Sequence, residues 1–274
     1  MLGRDRIQYK TREQVRLMRR AGLVVADALD AVRAALRPGC TTAELDAVAV
    51  DVIRTAGAVP SFFGYQDYPA TLCISVNDEV VHGIPGERVI DAGDVVSVDC
   101  GAIVEGWHGD SAFTAIVPGG PERPDDLALV EACEQAMWHG IAAMIPGQRL
   151  NAIGAAIEDS VGERYGLVED YGGHGIGTEM HQDPHVLNYR TRDRGPRMRP
   201  GLCLAIEPML TVGDAATRLL PDGWTVVTTD GSRAAHWEHS VALTEDGLWV
   251  LTARDGGVEV LEKLGVRVAH LEDY

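Results

Sequence analysis

Two acids stand inside runs that otherwise read as strand. Asp99 follows Val95-Val96-Ser97-Val98, and Glu207 follows Leu202-Cys203-Leu204-Ala205-Ile206. A carboxylate buried without a partner is costly, so such an acid needs a cation, a hydrogen-bonding partner or a raised pKa. Taken singly, either acid is accounted for by a strand end or an ion pair. A hairpin sharpens the first case. With Glu105-Gly106 as a two-residue turn, Val104 pairs with Trp107 and Asp99 falls opposite Ala112. Asp110 then shares a face with Asp99 as a diagonal neighbour, about 7–8 Å away at the backbone. A one-residue slip in register would send Asp110 to the other face. Two anions that close need a cation between them or a shared proton.

Histidines add to this set. His174 lies in Gly173-His174-Gly175-Ile176-Gly177, with His181 close behind. Glycines on both sides let other groups approach the imidazole. His82 lies in the turn-like Asn77–Pro85, and Glu238 sits between His236 and His239 in a strand-like stretch. Any one of these histidines alone is more often a packing or surface residue. Carboxylate-rich ligands with one imidazole suit Mn²⁺, Fe²⁺ or Co²⁺, and no thiolate cage accompanies them. Two such ions about 3.5–4 Å apart form a hydrolytic centre.

The elements that must position these groups follow from capping and periodicity. Thr11 with Gln14 has capping-box spacing and opens a helix to Leu36; Pro38-Gly39 stops it. Thr41 with Glu44 opens a second helix to about Gly57. Later, Pro124-Asp125 opens a helix through Met144, Pro146-Gly147 ends it, and another runs from about Asn151 to Glu163. The two Pro-Gly stops are 108 residues apart. The repeated helix, Pro-Gly, helix layout reads as an internal duplication; chance is the alternative, because the residue identity between halves is faint. After each helix pair comes β-like sequence. The second half supplies Leu202–Leu210, Trp224–Thr229, Ala234–Thr244 and Leu248–Thr252, with Asp230-Gly231 and Asp246-Gly247 as turns. The expected class is α+β with a largely antiparallel sheet.

Composition narrows the function further. The 274 residues carry a net charge of −17, which argues against a chain that coats DNA or an anionic membrane. No apolar stretch is long enough to span a bilayer, and no secretory h-region follows the basic start. Five well-separated cysteines without a CxxC pair read as buried thiols in a reducing, cytoplasmic setting. No GxGxxG opens a helix and no GxxxxGK[ST] occurs, so nucleotide-binding readings start low.

NDEVVHGIP, DVVSVDCGAIVEGWHGDSA, GGHGIGTEMH, IEPM and WEHSVALT occur in that order. Together with the opening helix KTREQVRLMRRAG they resemble type I methionine aminopeptidases of the compact bacterial form, over about residues 8–253. GHGIG alone would be weak; five motifs in order at family spacing are not. The resemblance implies the pita-bread fold, with pseudo-two-fold halves of about 11–120 and 121–253 in one catalytic domain. Residues 1–10 would be an N-terminal tail. Residues 254–274 would be a C-terminal tail, a short helix or strand packing on the surface. The short start and the short Glu207–Glu238 spacing imply neither a zinc-finger extension nor the type II helical insertion.

The resemblance also implies roles. Asp99, Asp110, His174, Glu207 and Glu238 match the ligands of two divalent ions (Co, Mn, Fe or Zn), with Asp110 and Glu238 bridging them. A water between the ions would be the nucleophile, and Glu207 would take its proton. His181 would stabilise the oxyanion, His82 would contact the scissile amide, and the free α-amine of the substrate would bind a metal. Tyr65, Tyr68, Cys73 and Trp224 match the methionine pocket, although ordinary core packing would explain each alone. Phe62, where many relatives carry a smaller residue, and Met180, where an aromatic is common, are departures that bear on pocket shape.

The implied activity is removal of initiator methionine from nascent chains whose second residue is small, by a cytoplasmic monomer. Ribosome contact is a hypothesis for either of two basic patches. One is residues 1–20, with seven basic and two acidic side chains; the other is the loop holding Arg190, Arg192, Arg194, Arg197 and Arg199. A solvated loop is the plainer reading. The alternatives to the activity are a proline-directed relative, such as a prolidase, and a non-catalytic binding member of the fold.

Overall fold

The computed structural model describes residues 7–269. Helix α1 (Arg12–Ala35) and helix α2 (Thr42–Thr55) both begin with complete capping boxes, at Thr11/Gln14 and Thr41/Glu44. Short strands β1 (Val59–Pro60), β2 (Leu72–Val76) and β3 (Glu79–Val81) lead to the long hairpin β4 (Val95–Val104) and β5 (Trp107–Ile116). Its register pairs Val104 with Trp107 and Asp99 with Ala112, as the two-residue turn requires. Glu105 and Gly106 take φ of 50° and 81°, the left-handed pair that matches the twist of a tight hairpin.

The second half repeats the plan with α3 (Pro124–Ala142) and α4 (Asn151–Val161). The strands β6 (Gly166–Leu167), β7 (Gly173–Gly175), β8 (Gln182–Val186), β9 (Cys203–Ile206) and β10 (Met209–Thr211) follow. Then come β11 (Thr217–Leu219), β12 (Val226–Thr228), β13 (Ala234–His236), β14 (Glu238–Leu243) and β15 (Leu248–Val250). The main sheet has nine strands, with the path β1-β4-β5-β14-β9-β7-β8; β2 pairs with β4 and β15 with β14. Every ladder between these strands is antiparallel. At its centre β5 of the first half lies beside β14 of the second, so each half places two strands at the middle.

Two expected strands are broken. Leu202–Leu210 splits into β9 and β10 around Glu207-Pro208, and Ala234–Thr244 splits into β13 and β14 at Trp237. Pro208 has no N–H to continue a ladder. β9 and β14 belong to the main sheet, whereas β10 and β13 pair with each other in a second, three-stranded sheet. Both breaks adjoin candidate metal ligands, so each carboxylate stands where the chain changes sheets.

The helices cover one face of the main sheet. Val25, Leu29 and Val32 of α1 and Leu45 and Ile53 of α2 pack with Val96, Val98 and Phe113. Leu129, Met137 and Ile141 of α3 and Ile153 and Ile157 of α4 pack with Leu204, Ile206 and Val241. A fully buried isoleucine contributes roughly 1.5–3 kcal/mol, so α4 is held chiefly by Ile153 and Ile157. Gly109 of β5 lies so close to α1 that a Cβ there would come within 2.7 Å of the Gly22 nitrogen. The helices thus take up one face of the sheet and leave the other to the candidate ligands.

Residues 1–6 and 270–274 of the two expected tails lie outside the described residues; the described parts of those tails are packed. The Lys10 N–H donates to the Gly201 carbonyl at 2.7 Å. Helix α5 (Val258–Leu261) buries Leu261 completely, and Val268 forms a parallel bridge with Leu248. No helix among the described residues is long and apolar enough to cross a membrane.

Candidate active site

Strand parity assembles the site. Ala112 on β5 is the register partner of Asp99 on one side and Glu238 on the other. Side chains alternate along a strand, so Asp99, Asp110 and Glu238 project from one face of three adjacent strands. Beyond β14, Ser240 pairs with Ala205, and Ala205 pairs with His174. The same parity places His174 and Glu207 on that face, opposite the helices. The hydroxyl of Ser240 ties the layer together, accepting from the Asp110 N–H at 3.0 Å and donating to the Asp110 carbonyl at 2.8 Å.

These groups are short of partners. Oδ1 of Asp99, Oδ1 of Asp110 and Oε1 of Glu238 are buried with no hydrogen-bond partner among the described residues. Ligand atoms of Asp110, His174 and Glu238 lie within 4.8 Å of one another. Glu207 joins them, with Oε1 at 3.4 Å from His174 Nε2. Burial pushes the Asp99 carboxyl up to about 7, with His236 opposing and Glu207 adding to the rise. Burial likewise pushes Glu207 up to about 8. Asp110 and Glu238 are driven well above the carboxylate range, by burial first and by neighbouring carboxylates second. His174 is driven down to about 3 by burial and then by His181. Burial without a cation therefore favours the protonated form of these acids and the neutral form of the imidazole. Four crowded carboxyls, three of them with an orphaned oxygen, and a neutral imidazole fit divalent cations.

The ligand cluster opens into a cavity of about 280 Å³, which all the candidate residues read from the sequence line. His82 takes φ of 61°, a left-handed conformation uncommon outside glycine and characteristic of functional sites. Its ring meets Tyr171 and Trp224 edge-on, with centroids 5.6 and 6.3 Å apart. Burial lowers its pKa to about 4, with His236 and His181 assisting. The His181 Nδ1 lies 2.8 Å from the Tyr65 hydroxyl, and its ring stands 4.4 Å from that of His174.

Away from the ligands the cavity is apolar. Phe62, Tyr68, Cys73 and Met180 form one buried cluster, and Tyr65 and Trp224 pack against it. The Tyr68 hydroxyl reaches the Leu72 and Gly83 carbonyls at 2.9 and 3.1 Å, which turns its ring edge-on to Trp224. Cys73 is the register partner of Asp99, so the apolar wall begins one strand from the acids. Phe62 and Met180 both line the cavity. Tyr171 and Met209 line it too and were not singled out from the sequence. An aromatic directly before Gly172-Gly173-His174 was the available signal for Tyr171. An open cleft of about 980 Å³ adjoins the cavity and shares Tyr171, His174 and His181 with it.

Comparisons with known proteins agree with this geometry. The model of metallopeptidase family M24 matches residues 16–245. Methionine aminopeptidase 1 of Mycobacterium tuberculosis is 50% identical over 258 residues, covering 91% of this chain and 96% of that protein. Methionine aminopeptidase 1 of Bacillus subtilis is 44% identical over 244 residues, covering 89% and 98%. The crystal structure of methionine aminopeptidase from Thermotoga maritima superposes with a TM-score of 0.87 at 39% identity, covering 91% of this chain and all of that one. The chain therefore belongs to metallopeptidase family M24, among its type I methionine aminopeptidases.

Proposed function

We propose that the protein removes the initiator methionine from nascent polypeptides whose second residue is small, by metal-dependent hydrolysis of the first peptide bond. The observation that carries this reading is a buried carboxylate–imidazole cluster opening directly into a cavity walled, away from the acids, by Tyr68, Cys73, Met180 and Trp224. Thioethers favour such soft and aromatic surroundings. The adjoining open cleft leaves room for the rest of the peptide.

Asp99, Asp110, His174, Glu207 and Glu238 would hold two divalent ions, drawn from Co, Mn, Fe or Zn. Bound by these residues, such ions would supply an acidified water and a polarised scissile carbonyl. Glu207 takes the proton of the attacking water and passes it to the leaving amine. With the Tyr65 hydroxyl donating to Nδ1, His181 carries its proton on Nε2 and presents it to the carbonyl oxygen as negative charge builds. His82 orients the scissile amide. The apolar wall seats the methionine side chain and excludes bulk water from it.

The enzyme is read as a cytoplasmic monomer, in keeping with five buried, unpaired thiols. Ribosome contact by the arginine loop has less support, since three of its arginines hold intramolecular partners. Arg190 pairs with Glu158 and Asp159, Arg197 donates to the Gly147 carbonyl, and Arg199 stacks on Tyr9. Replacing all five arginines and measuring ribosome co-sedimentation decides it; unchanged co-sedimentation ends the idea.

The activity is tested with metal-stripped protein on Met-Ala-Ser and on Ala-Pro-Ala, with Mn²⁺, Co²⁺, Fe²⁺ or Zn²⁺ added back. Free methionine released only with metal supports the reading. Cleavage of only the proline peptide points to a proline-directed enzyme. No cleavage by folded protein with any metal points to a binding role.

A further inference from the structure

We propose that His236 is a positioning residue for Glu207: its Nε2–H holds one carboxylate oxygen and so fixes how the carboxylate is presented to the site. The inference rests on the function proposed above. Three independent observations carry it.

The first is location. His236 is 2% exposed and pairs with Met209 across the second sheet, two residues beyond Glu207. The second is an orphaned atom. Nε2 of His236 is buried without a hydrogen-bond partner among the described residues and faces Glu207 Oε2 at 3.6 Å. A shift of about 0.7 Å brings that pair to hydrogen-bonding distance. An unpaired buried polar atom is costly, so the contact is favoured to close. The third is rigidity. Thr114 Oγ1 accepts from the His236 N–H at 2.9 Å and donates to its carbonyl at 2.7 Å. Glu207 is tethered as well, because Asn188 Nδ2 donates to its carbonyl at 3.0 Å. With both backbones held, the imidazole and the carboxylate have little freedom except toward each other.

The two oxygens of Glu207 face different imidazoles, Oε1 that of His174 and Oε2 that of His236. A histidine that ligates a metal through Nε2 offers a lone pair there and no proton. His236 is therefore the imidazole that can donate. Its hydrogen bond to Oε2 leaves Oε1 turned toward His174 and the other candidate ligands. Outer partners of this kind commonly alter metal affinity or activity by about 10–100-fold when removed.

The test compares His236→Gln, which keeps an N–H donor, with His236→Met, which keeps bulk without one. For the methionine variant, kcat on Met-Ala-Ser is expected to fall about 10–100-fold with KM within about twofold. Its Mn²⁺ dissociation constant, measured by calorimetry, is expected to rise about tenfold. The glutamine variant should recover most of both. Wild-type values in both variants, or equal losses in both, overturn the proposal, the latter by showing a packing role. Should the methionine variant not fold, His236→Asn, whose amide stops short of Glu207, takes its place under the same criteria. Wild-type protein inactive with every metal refutes the proposed function; active wild type with indifferent variants refutes only the role of His236.

Discussion

Removing the divalent cation should make the stability of the fold fall as pH rises above neutrality. In the metal-free protein Asp99 is held up at about 7 against an ordinary 3.8, and Glu207 at about 8 against 4.5. In the unfolded chain both are ionised above pH 5, so between that pH and their folded values the native state binds more protons. Stability then decreases with pH by about 1.36 kcal/mol per pH unit for each proton retained. The buried histidines act in the opposite sense, because burial lowers His174 to about 3 and His82 to about 4. Their contribution rises with pH and is complete about one unit above the unfolded value of 6.5. A window from pH 7.5 to 9 therefore isolates the carboxyls. Over it, Asp99 and Glu207 together account for a loss of roughly 1 kcal/mol. Asp110 and Glu238, raised well above their ordinary values, add in the same direction. For a domain of this size that is a fall in Tm of at least roughly 2 °C. The assay is calorimetric melting across the window, with and without saturating Mn²⁺. Bound cation should abolish the fall, and titration in buffers of different ionisation enthalpy should show proton release on binding. A flat or rising Tm in the metal-free protein, or metal binding without proton release, would refute the reasoning.

Three further outcomes follow from named contacts. Glu207→Gln should melt cooperatively yet lose at least about a hundredfold in kcat, because an amide is a poor proton acceptor; near-wild-type turnover would remove Glu207 from that role. His181→Ala should lower kcat while elemental analysis finds the wild-type metal content, since His181 is assigned to the substrate carbonyl; loss of metal would make it a ligand instead. Gly109→Ala should lower Tm sharply, because the new Cβ would come within 2.7 Å of the Gly22 nitrogen and force α1 off the sheet. Overpacking of this kind costs typically 1–3 kcal/mol, and an unchanged Tm would show that the helix–sheet contact is looser than described.

Much of the site was legible because its signals were local. A two-residue turn at Glu105-Gly106 sets the register of its own hairpin, so the shared face of Asp99 and Asp110 could be worked out by counting. Acids within apolar strands and a histidine flanked by glycines signalled candidate ligands for the same reason: their residue types conflict with their neighbours unless something binds them. The helix starts at Thr11 and Thr41 were readable from capping boxes that need only four residues.

What counting along the chain could not supply were relations between distant segments. The apolar runs around Glu207 and Glu238 looked continuous, because hydrophobicity does not reveal where a strand leaves one sheet for another. Only the packed structure shows that β9 and β14 separate from β10 and β13 beside those two acids. Tyr171 reaches the cavity, and His236 faces Glu207, through pairings between separate strands. Sequence alone showed the candidate acids and histidines and the two helix–sheet halves, since turn geometry, capping and residue type act over a few residues; the full ligand set came from the family resemblance. Tertiary structure decided how Asp99, Asp110, His174, Glu207 and Glu238 converge, because register between β5, β14, β9 and β7 depends on burying all those strands at once.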